Sequence, residues 1–266
     1  MAMHDLLDLG GQTALVTGAG QGAGRGIALM LAAHNGAVAV NDYVLERAEA
    51  VAAEIREAGG KAVAVQADVG DRASVAAAFE TARAALGPVT ILVNNAGNAG
   101  PESGFDMARF WETDPADWPR YFQTNLFGVM NCCHVALPDM VAAGQGRIVT
   151  IGSDSGRTGD ARLSAYGAAK AGAAGFMRCL ASETGRYGIT CNTISLSTQQ
   201  PQGMSEAELA EHYASDRVKA QLAHYTIRRF GRPDDVAAMA LFLCSGAASW
   251  ITGQTYPVNG GYSYAL

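Results

Sequence analysis

Short runs of β-branched and apolar residues alternate with longer alanine-rich stretches along most of this chain, and that alternation limits its folding more than any other feature. Strands that read as continuous apolar runs must be covered on both faces, which helices do when each crosses over between parallel neighbours. The pattern predicts strands at Thr13–Thr17, Ala37–Asp42, Lys61–Ala67, Val89–Val93, Arg147–Ile151, Ile189–Ile194 and Gln254–Val258. Helices are expected between them, at Gly22–His34, Leu45–Ala58, Arg72–Leu86 and Pro233–Cys244, with one ending near Ala143 and a long one after Ser164. Glycine, asparagine or aspartate closes each segment, as helix ends and turns require. The expected fold is α/β: a Rossmann-like, doubly wound, parallel sheet of about seven strands with helices on both faces. No linker interrupts the 266 residues, so they form one domain, in which 196–227 has no strand character and reads as an insertion or lid over the substrate side.

Composition narrows the function. Apolar residues make up 49% and charged residues 17%, enough buried surface to offset the cost of ordering the chain. Lysine and arginine number 19 against 25 acidic residues, with no basic block to track a phosphate backbone, so nucleic acid is not an expected partner. No apolar run approaches the roughly 20 residues of a membrane-spanning helix, and the start carries two aspartates where an export signal would be basic and then apolar. A soluble, cytoplasmic protein is therefore expected, with no membrane partner. Cys132, Cys133, Cys179, Cys191 and Cys244 lack the spacing of a disulfide framework or a zinc site and read as reduced core residues; no metal site is expected.

Between the first strand and the first helix lies a glycine-rich turn holding Thr17, Gly18, Gln21, Gly22, Ala23 and Gly24. Backbone amides there can face an anion at the positive end of a helix, and glycines let a pyrophosphate come close. The spacing is T-G-x-x-x-G-x-G rather than G-x-G-x-x-G, and ordinary strand-to-helix corners also use glycine. Asp42 ends the second strand 18 residues past Gly24, close to the roughly 20 expected of an acid that binds a ribose diol. A carboxylate there repels a 2′-phosphate, which favours NAD over NADP; the alternative is that Asp42 caps the next helix. Arg25, in the first helical turn, is the residue that argues the other way.

Tyr166 and Lys170 stand four apart at the start of a helix and so share one face. A tyrosine titrates near pH 10; acting as a base near neutrality needs a depression of about three pH units, roughly 4 kcal/mol, which a neighbouring ammonium can largely supply. Such a pair also arises by chance. Ser153, however, closes the fifth strand 13 residues earlier, at the carboxyl edge where open α/β sheets place their chemistry.

With these pieces in order, the sequence resembles the short-chain dehydrogenase/reductase family, in its compact single-domain branch. The matching pieces are Thr17-Gly18-x-x-x-Gly22-x-Gly24, Asp68-Val69, Asn94-Asn95-Ala96-Gly97, Asn125, Ser153, Tyr166-x-x-x-Lys170 and Val258-Asn259-Gly260-Gly261. The resemblance implies that Tyr166 is the general acid/base, that Lys170 lowers its pKa and holds the nicotinamide ribose, that Ser153 orients the substrate oxygen, and that Asn125 anchors a water in a proton relay. It also implies Asp68 and Val69 around the adenine and Asn95, Ala96 and Gly97 along the cofactor, although Asn94 and Asn95 can equally serve the middle of the sheet. A small-molecule alcohol or ketone would be the substrate, and family members often form tetramers through the helices after the fourth and fifth strands.

The chain departs from the family after the sixth strand, where Leu196, Ser197 and Pro201 stand at the positions of a proline-glycine pair and a nicotinamide-binding threonine. Ser197 or Thr198 offers a substitute hydroxyl. Met204, His212, Tyr213 and Tyr225 are either pocket lining or packing, and Asp154, Ser155, Arg157 and Arg162 either substrate contacts or loop polarity. A 3-oxoacyl or hydroxyacyl thioester reductase is a second reading, for which Arg157, Arg162 and Lys219 would form a basic entrance. A non-catalytic NAD-sensing protein is a third.

Overall fold

A computed structural model describes residues 5–97 and 104–264. Seven strands, β1 (Thr13–Val16), β2 (Ala37–Asp42), β3 (Lys61–Gln66), β4 (Val89–Asn94), β5 (Gly146–Ser153), β6 (Ile189–Leu196) and β7 (Thr255–Val258), form one sheet in the order β3-β2-β1-β4-β5-β6-β7. Every pairing is parallel. The helices are α1 (Gly22–Ala33), α2 (Leu45–Glu57), α3 (Arg72–Leu86), α4 (Trp118–Phe122), α5 (Gly128–Ala143), α6 (Ser164–Thr184), α7 (Glu206–Ala214), α8 (Asp216–Leu222) and α9 (Pro233–Cys244).

Side chains of a strand alternate between faces, and the sheet sorts its residues accordingly. Ala14, Val16, Ile91, Val93, Val149, Ile151 and Ile194 point to the layer of α1, α2 and α9; Leu15, Leu92, Ile148 and Cys191 point to that of α3, α5 and α6. Local chemistry sets several helix ends. The Asp71 carboxylate accepts from the Ala73 N–H at the start of α3, and Gly144 ends α5 in the left-handed conformation. Ser205 and Glu208 form a reciprocal capping box on α7. Strand order reverses between β1 and β4, which opens a crevice at the carboxyl edge, where both loops leave the sheet in opposite directions.

Two expectations need correction. The helical stretch Pro115–Ala143 is, by length and composition, long and apolar enough to cross a membrane, contrary to the reading that no run reaches that length. Its buried residues Cys132, Cys133, Ala136 and Met140 belong to the α3–α5–α6 core layer, so tertiary packing accounts for its apolar character. Cys179 is exposed, whereas the other four cysteines are buried as expected; burial pushes the Cys132 and Cys244 thiols up to about 12, which leaves them unreactive. The loop expected after Asn94 runs partly outside the described residues.

Candidate active site

At the switch point lies a cleft of about 490 Å³, within the usual range for small-molecule sites. Gly18, Gln21, Gly22, Ala23 and Gly24 line it from the first turn, Asp42 from the end of β2, Asp68 and Val69 after β3, and Asn95, Ala96 and Gly97 after β4. Thr17 is buried behind it: its Oγ1 accepts the Asn95 and Ala96 N–H groups at 3.0 Å each. Asn95 returns the favour by donating Nδ2 to the Thr17 and Gly18 carbonyls at 2.9 Å, so it fastens the glycine turn to β4 while facing the cleft. Asn94, by contrast, bonds Thr150 and Cys133 inside the sheet.

The turn fits a dinucleotide because side chains would fill it. Gly18 and Gly22 have φ of +59° and +57°. A Cβ on Gly24 would strike the Gly18 carbonyl and the Asn95 amide, and one on Gly18 would lie 2.9 Å from Ala96 Cα. Asp42 is both cap and cleft residue: its carboxylate accepts from the Gly20 and Val44 N–H groups at 3.0 Å each, and each oxygen keeps a lone pair for a ribose hydroxyl. Arg25 is turned away and pairs with Glu54 on α2. Sequence reasoning missed Asn41, Tyr43, Val44, Arg47, Ala67 and Thr124, which also line the cleft. The pairing of β2 with β1 and β3 brings all of these there except Thr124, which comes from the helical turn before α5.

Beyond Gly97 stand the catalytic candidates. A Cβ on Gly97 would lie 2.6 Å from Asn125 Oδ1 and 2.7 Å from Lys170 Nζ, so this glycine joins the cleft to them. Tyr166 and Lys170 do not line the cleft themselves. Lys170 is 5% exposed; its Nζ donates to the Ile151 carbonyl at 2.8 Å and lies 5.8 Å from the Tyr166 ring centroid. The Ser153 side chain acts on the Tyr166 phenol to lower its pKa, and its Oγ accepts the Ser155 N–H at 3.2 Å. Asn125 sits in a single π-helical turn, residues 123–127, between α4 and α5, and donates Nδ2 to the Tyr121 carbonyl at 2.8 Å. Such turns free backbone groups and recur at functional sites.

The electrostatics differ from the expectation that Lys170 depresses the phenol. Burial raises Tyr166 above its ordinary value, with the Ser153 hydrogen bond lowering it and the Asp160 charge raising it. Burial likewise lowers Lys170 to about 8. Both charges lose water, and each is costly alone.

The segment between Ser153 and Tyr166 is held from behind. Asp154, 1% exposed, accepts from Ser195 Oγ at 2.6 Å, Asn259 Nδ2 at 2.6 Å, Ser263 Oγ at 3.0 Å and Arg157 Nη1 at 3.3 Å. Arg157 also donates to Ser263 Oγ and the Tyr264 carbonyl. Asp160 accepts from Ser155 Oγ at 2.5 Å and Tyr262 OH at 2.9 Å. Asp154 and Arg157 thus bind the chain's own tail, and Ser155 bonds Asp160, which holds the tail's Tyr262, so these three serve internal bonds rather than a substrate contact or free loop polarity. Tyr213, Tyr225 and Phe230 form a small core under α7 and α8, so these aromatics are packing. Ser197 Oγ donates to the Asn259 carbonyl and Thr198 Oγ1 accepts from Gln221.

A family model described as enoyl-(acyl carrier protein) reductase matches residues 18–263. The chain belongs to the short-chain dehydrogenase/reductase family. Among curated members it is 36% identical over 261 residues to the 7alpha-hydroxysteroid dehydrogenase of Escherichia coli K12, covering 98% of each chain. It is 38% identical over 252 residues to the cis-4-hydroxycyclohexanecarboxylate dehydrogenase of Sinomonas cyclohexanicum, covering 95% of this chain and 96% of that one. Two solved structures of the family superpose closely. A 7 alpha-hydroxysteroid dehydrogenase complexed with NADH and 7-oxo glycochenodeoxycholic acid has a TM-score of 0.86 at 34% identity, covering 97% and 98% of the two chains. A gluconate 5-dehydrogenase from Burkholderia cenocepacia J2315, in complex with NADP and tartrate, has 0.87 at 30%, covering 98% and 99%. These family members are oxidoreductases of hydroxyl and ketone groups, and the two solved structures hold nicotinamide cofactors, NADH in one and NADP in the other.

Proposed function

We propose that this oxidoreductase passes a hydride between NAD(H) and a secondary alcohol or ketone on a moderate, mostly apolar and cyclic skeleton. The observation that carries the reading is the meeting of Ser153, Tyr166 and Lys170 beside Asn125 and Gly97, at the end of a glycine-lined cleft. Cyclic alcohols are suggested by two relatives, named for a hydroxysteroid and for a hydroxycyclohexanecarboxylate. NAD is favoured over NADP by Asp42 and by the engagement of Arg25 with Glu54; Arg47, in the same cleft, is the residue opposing it.

In the alcohol-oxidising direction the bound nicotinamide supplies the hydride acceptor. Tyr166 takes the hydroxyl proton and Ser153 holds the substrate oxygen by a hydrogen bond. Lys170 offsets the cost of making a buried phenolate. An ammonium 5.8 Å from the ring centroid acts against the rise that burial imposes on the phenol. With Lys170 near 8, most molecules carry that ammonium at pH 7. In the reverse direction Tyr166 returns the proton to a ketone. Lys170, at the end of the cleft, also holds the nicotinamide ribose, and Asn125 anchors the relay water. The chain works as one catalytic domain with 196–227 over the substrate, in a cytoplasmic tetramer built through α5 and α6.

Purified protein with NAD and a panel of cyclic secondary alcohols should produce reduced cofactor. Tyr166→Phe should lower kcat by roughly 10²- to 10⁴-fold while cofactor still binds. Tight NAD binding without turnover on any alcohol or ketone would instead support the sensing reading. For the thioester reading, Arg157 is spent on Asp154 and the tail and Lys219 lies beside Asp216 in α8, but Arg162 has no carboxylate partner among the described residues and the matching family model is described for an acyl-carrier-protein substrate, so it stands as the second reading.

A further inference from the structure

The turn that follows Ser153 lies against the helix that carries Tyr166 and Lys170. A Cβ on Gly167 would come within 2.9 Å of the Ser155 carbonyl, and one on Gly156 within 3.0 Å of Lys170 Cβ, so residues 155–156 rest on the first two turns of α6. The Ser155 N–H donates to Ser153 Oγ at 3.2 Å. A serine oxygen offers two lone pairs and one O–H, and filling one lone pair from behind limits where the O–H can turn. The Ser153 hydroxyl is therefore aimed by whatever holds Ser155.

Asp160 holds it. Its Oδ2 accepts from Ser155 Oγ at 2.5 Å, within the short range of a bond from a hydroxyl to a carboxylate, and its Oδ1 accepts from the Tyr262 phenol at 2.9 Å. Burial and the bond to Asp160 push the Tyr262 phenol up to about 12, so it remains a donor at neutral pH. The Tyr262 ring packs in turn on Tyr225, with 5.2 Å between centroids, and the Tyr225 hydroxyl accepts from the Thr198 N–H at 3.2 Å. A continuous set of contacts thus runs from the segment after β6, through the tail, to Asp160, Ser155 and Ser153. Asp154 anchors the same segment separately, through Ser195, Asn259 and Ser263.

We propose that Asp160 is a positioning residue for Ser153: its carboxylate fixes Ser155 on one side and Tyr262 on the other, and so keeps the Ser153 O–H turned to the substrate oxygen. This rests on the dehydrogenase reading above, in which Ser153 holds that oxygen.

Two substitutions at Asp160 separate the bonds from the charge. Asp160→Asn removes the charge but keeps both bonds, because the Ser155 and Tyr262 hydroxyls can each donate or accept, whereas Asp160→Ala removes both. With NAD and a cyclic secondary alcohol, Asp160→Ala should lose at least about tenfold in kcat while NAD affinity by calorimetry stays within about twofold. Asp160→Asn should recover most of that loss. Ser155→Ala, which cuts the same link from the other end and strands no charge, should reproduce it and guards against a folding defect. In a Ser153→Ala background, Asp160→Ala should cost less than about twofold more, since the group it positions is gone. Hydrogen–deuterium exchange read by mass spectrometry needs no turnover: the amides of residues 153–158 should exchange faster in Asp160→Ala and at the parent rate in Asp160→Asn. Full kcat in both alanine variants, an undiminished loss in the Ser153→Ala background, or unchanged exchange in Asp160→Ala would each overturn the proposal. Faster exchange confined to Asp160→Ala, in a protein whose parent oxidises no alcohol, would sink the dehydrogenase reading and leave the hold of Asp160 on Ser155 and Ser153 standing.

Discussion

Removing the Asp154 carboxylate should unseat the catalytic segment from behind. The side chain is 1% exposed and receives four hydrogen bonds, from Ser195, Arg157, Asn259 and Ser263. Asp154→Ala leaves a guanidinium and three polar donors in a dry pocket without their acceptor, and breaking a buried charge pair from one side costs about 3–5 kcal/mol. Asp154→Asn keeps one acceptor oxygen but sets an NH₂ against either Asn259 and Ser263 or Ser195 and Arg157, at a cost of about 2 kcal/mol. At about 2 °C per kcal/mol for a chain of this size, the melting temperature should fall by about 6–10 °C for alanine and about 4 °C for asparagine. Differential scanning calorimetry reads the shift. Because Ser153 precedes Asp154 and the tail residues 259–264 hang from it, kcat/KM measured well below the transition should fall at least about tenfold in the alanine variant. A melting temperature for Asp154→Ala within 2 °C of the parent, or full activity in a folded variant, would refute the assignment of this carboxylate as the clamp.

Lys170 gives a pH signature. Its folded value near 8 lies below the ordinary 10.5, so between those limits the unfolded chain binds the extra proton and stability rises with pH; it is lost again as pH falls through 8. Tyr166, raised by burial, acts in the opposite sense above pH 10, so the window to examine is pH 8–10. Urea titrations should show Lys170→Met flattening a rise of up to about 3 kcal/mol, and an unchanged slope would disprove the burial argument. Gly24→Ala should abolish measurable cofactor binding by equilibrium dialysis while the fold survives by circular dichroism, since its Cβ meets the Gly18 carbonyl and Asn95 inside the cleft. Asp42→Ala should raise the affinity for NADPH relative to NADH by about tenfold in fluorescence titrations, by removing one negative charge from the ribose end. Equal shifts for both cofactors would show that Asp42 serves only Gly20 and Val44.

The amino-acid sequence by itself determined the parallel sheet, the glycine turn and the identity of the Ser153, Tyr166 and Lys170 group. These are written in short-range regularities: buried strands announce themselves as apolar runs, as Ala37–Asp42 and Ile189–Leu196 do, and one helical turn suffices to pair Tyr166 with Lys170. Eleven of the residues expected to hold a cofactor line the cleft because they fall at strand ends or at the start of the helix that follows, which is what the pattern locates. Tertiary structure alone decided the rest. Asp154 and Asn259 are 105 positions apart, so no local periodicity couples them. The apolar face of Pro115–Ala143 had no meaning until the sheet covered it, and the charge states of Tyr166 and Lys170 depend on how much water the finished fold excludes. Desolvation belongs to the assembled molecule, and no spacing along a chain records it.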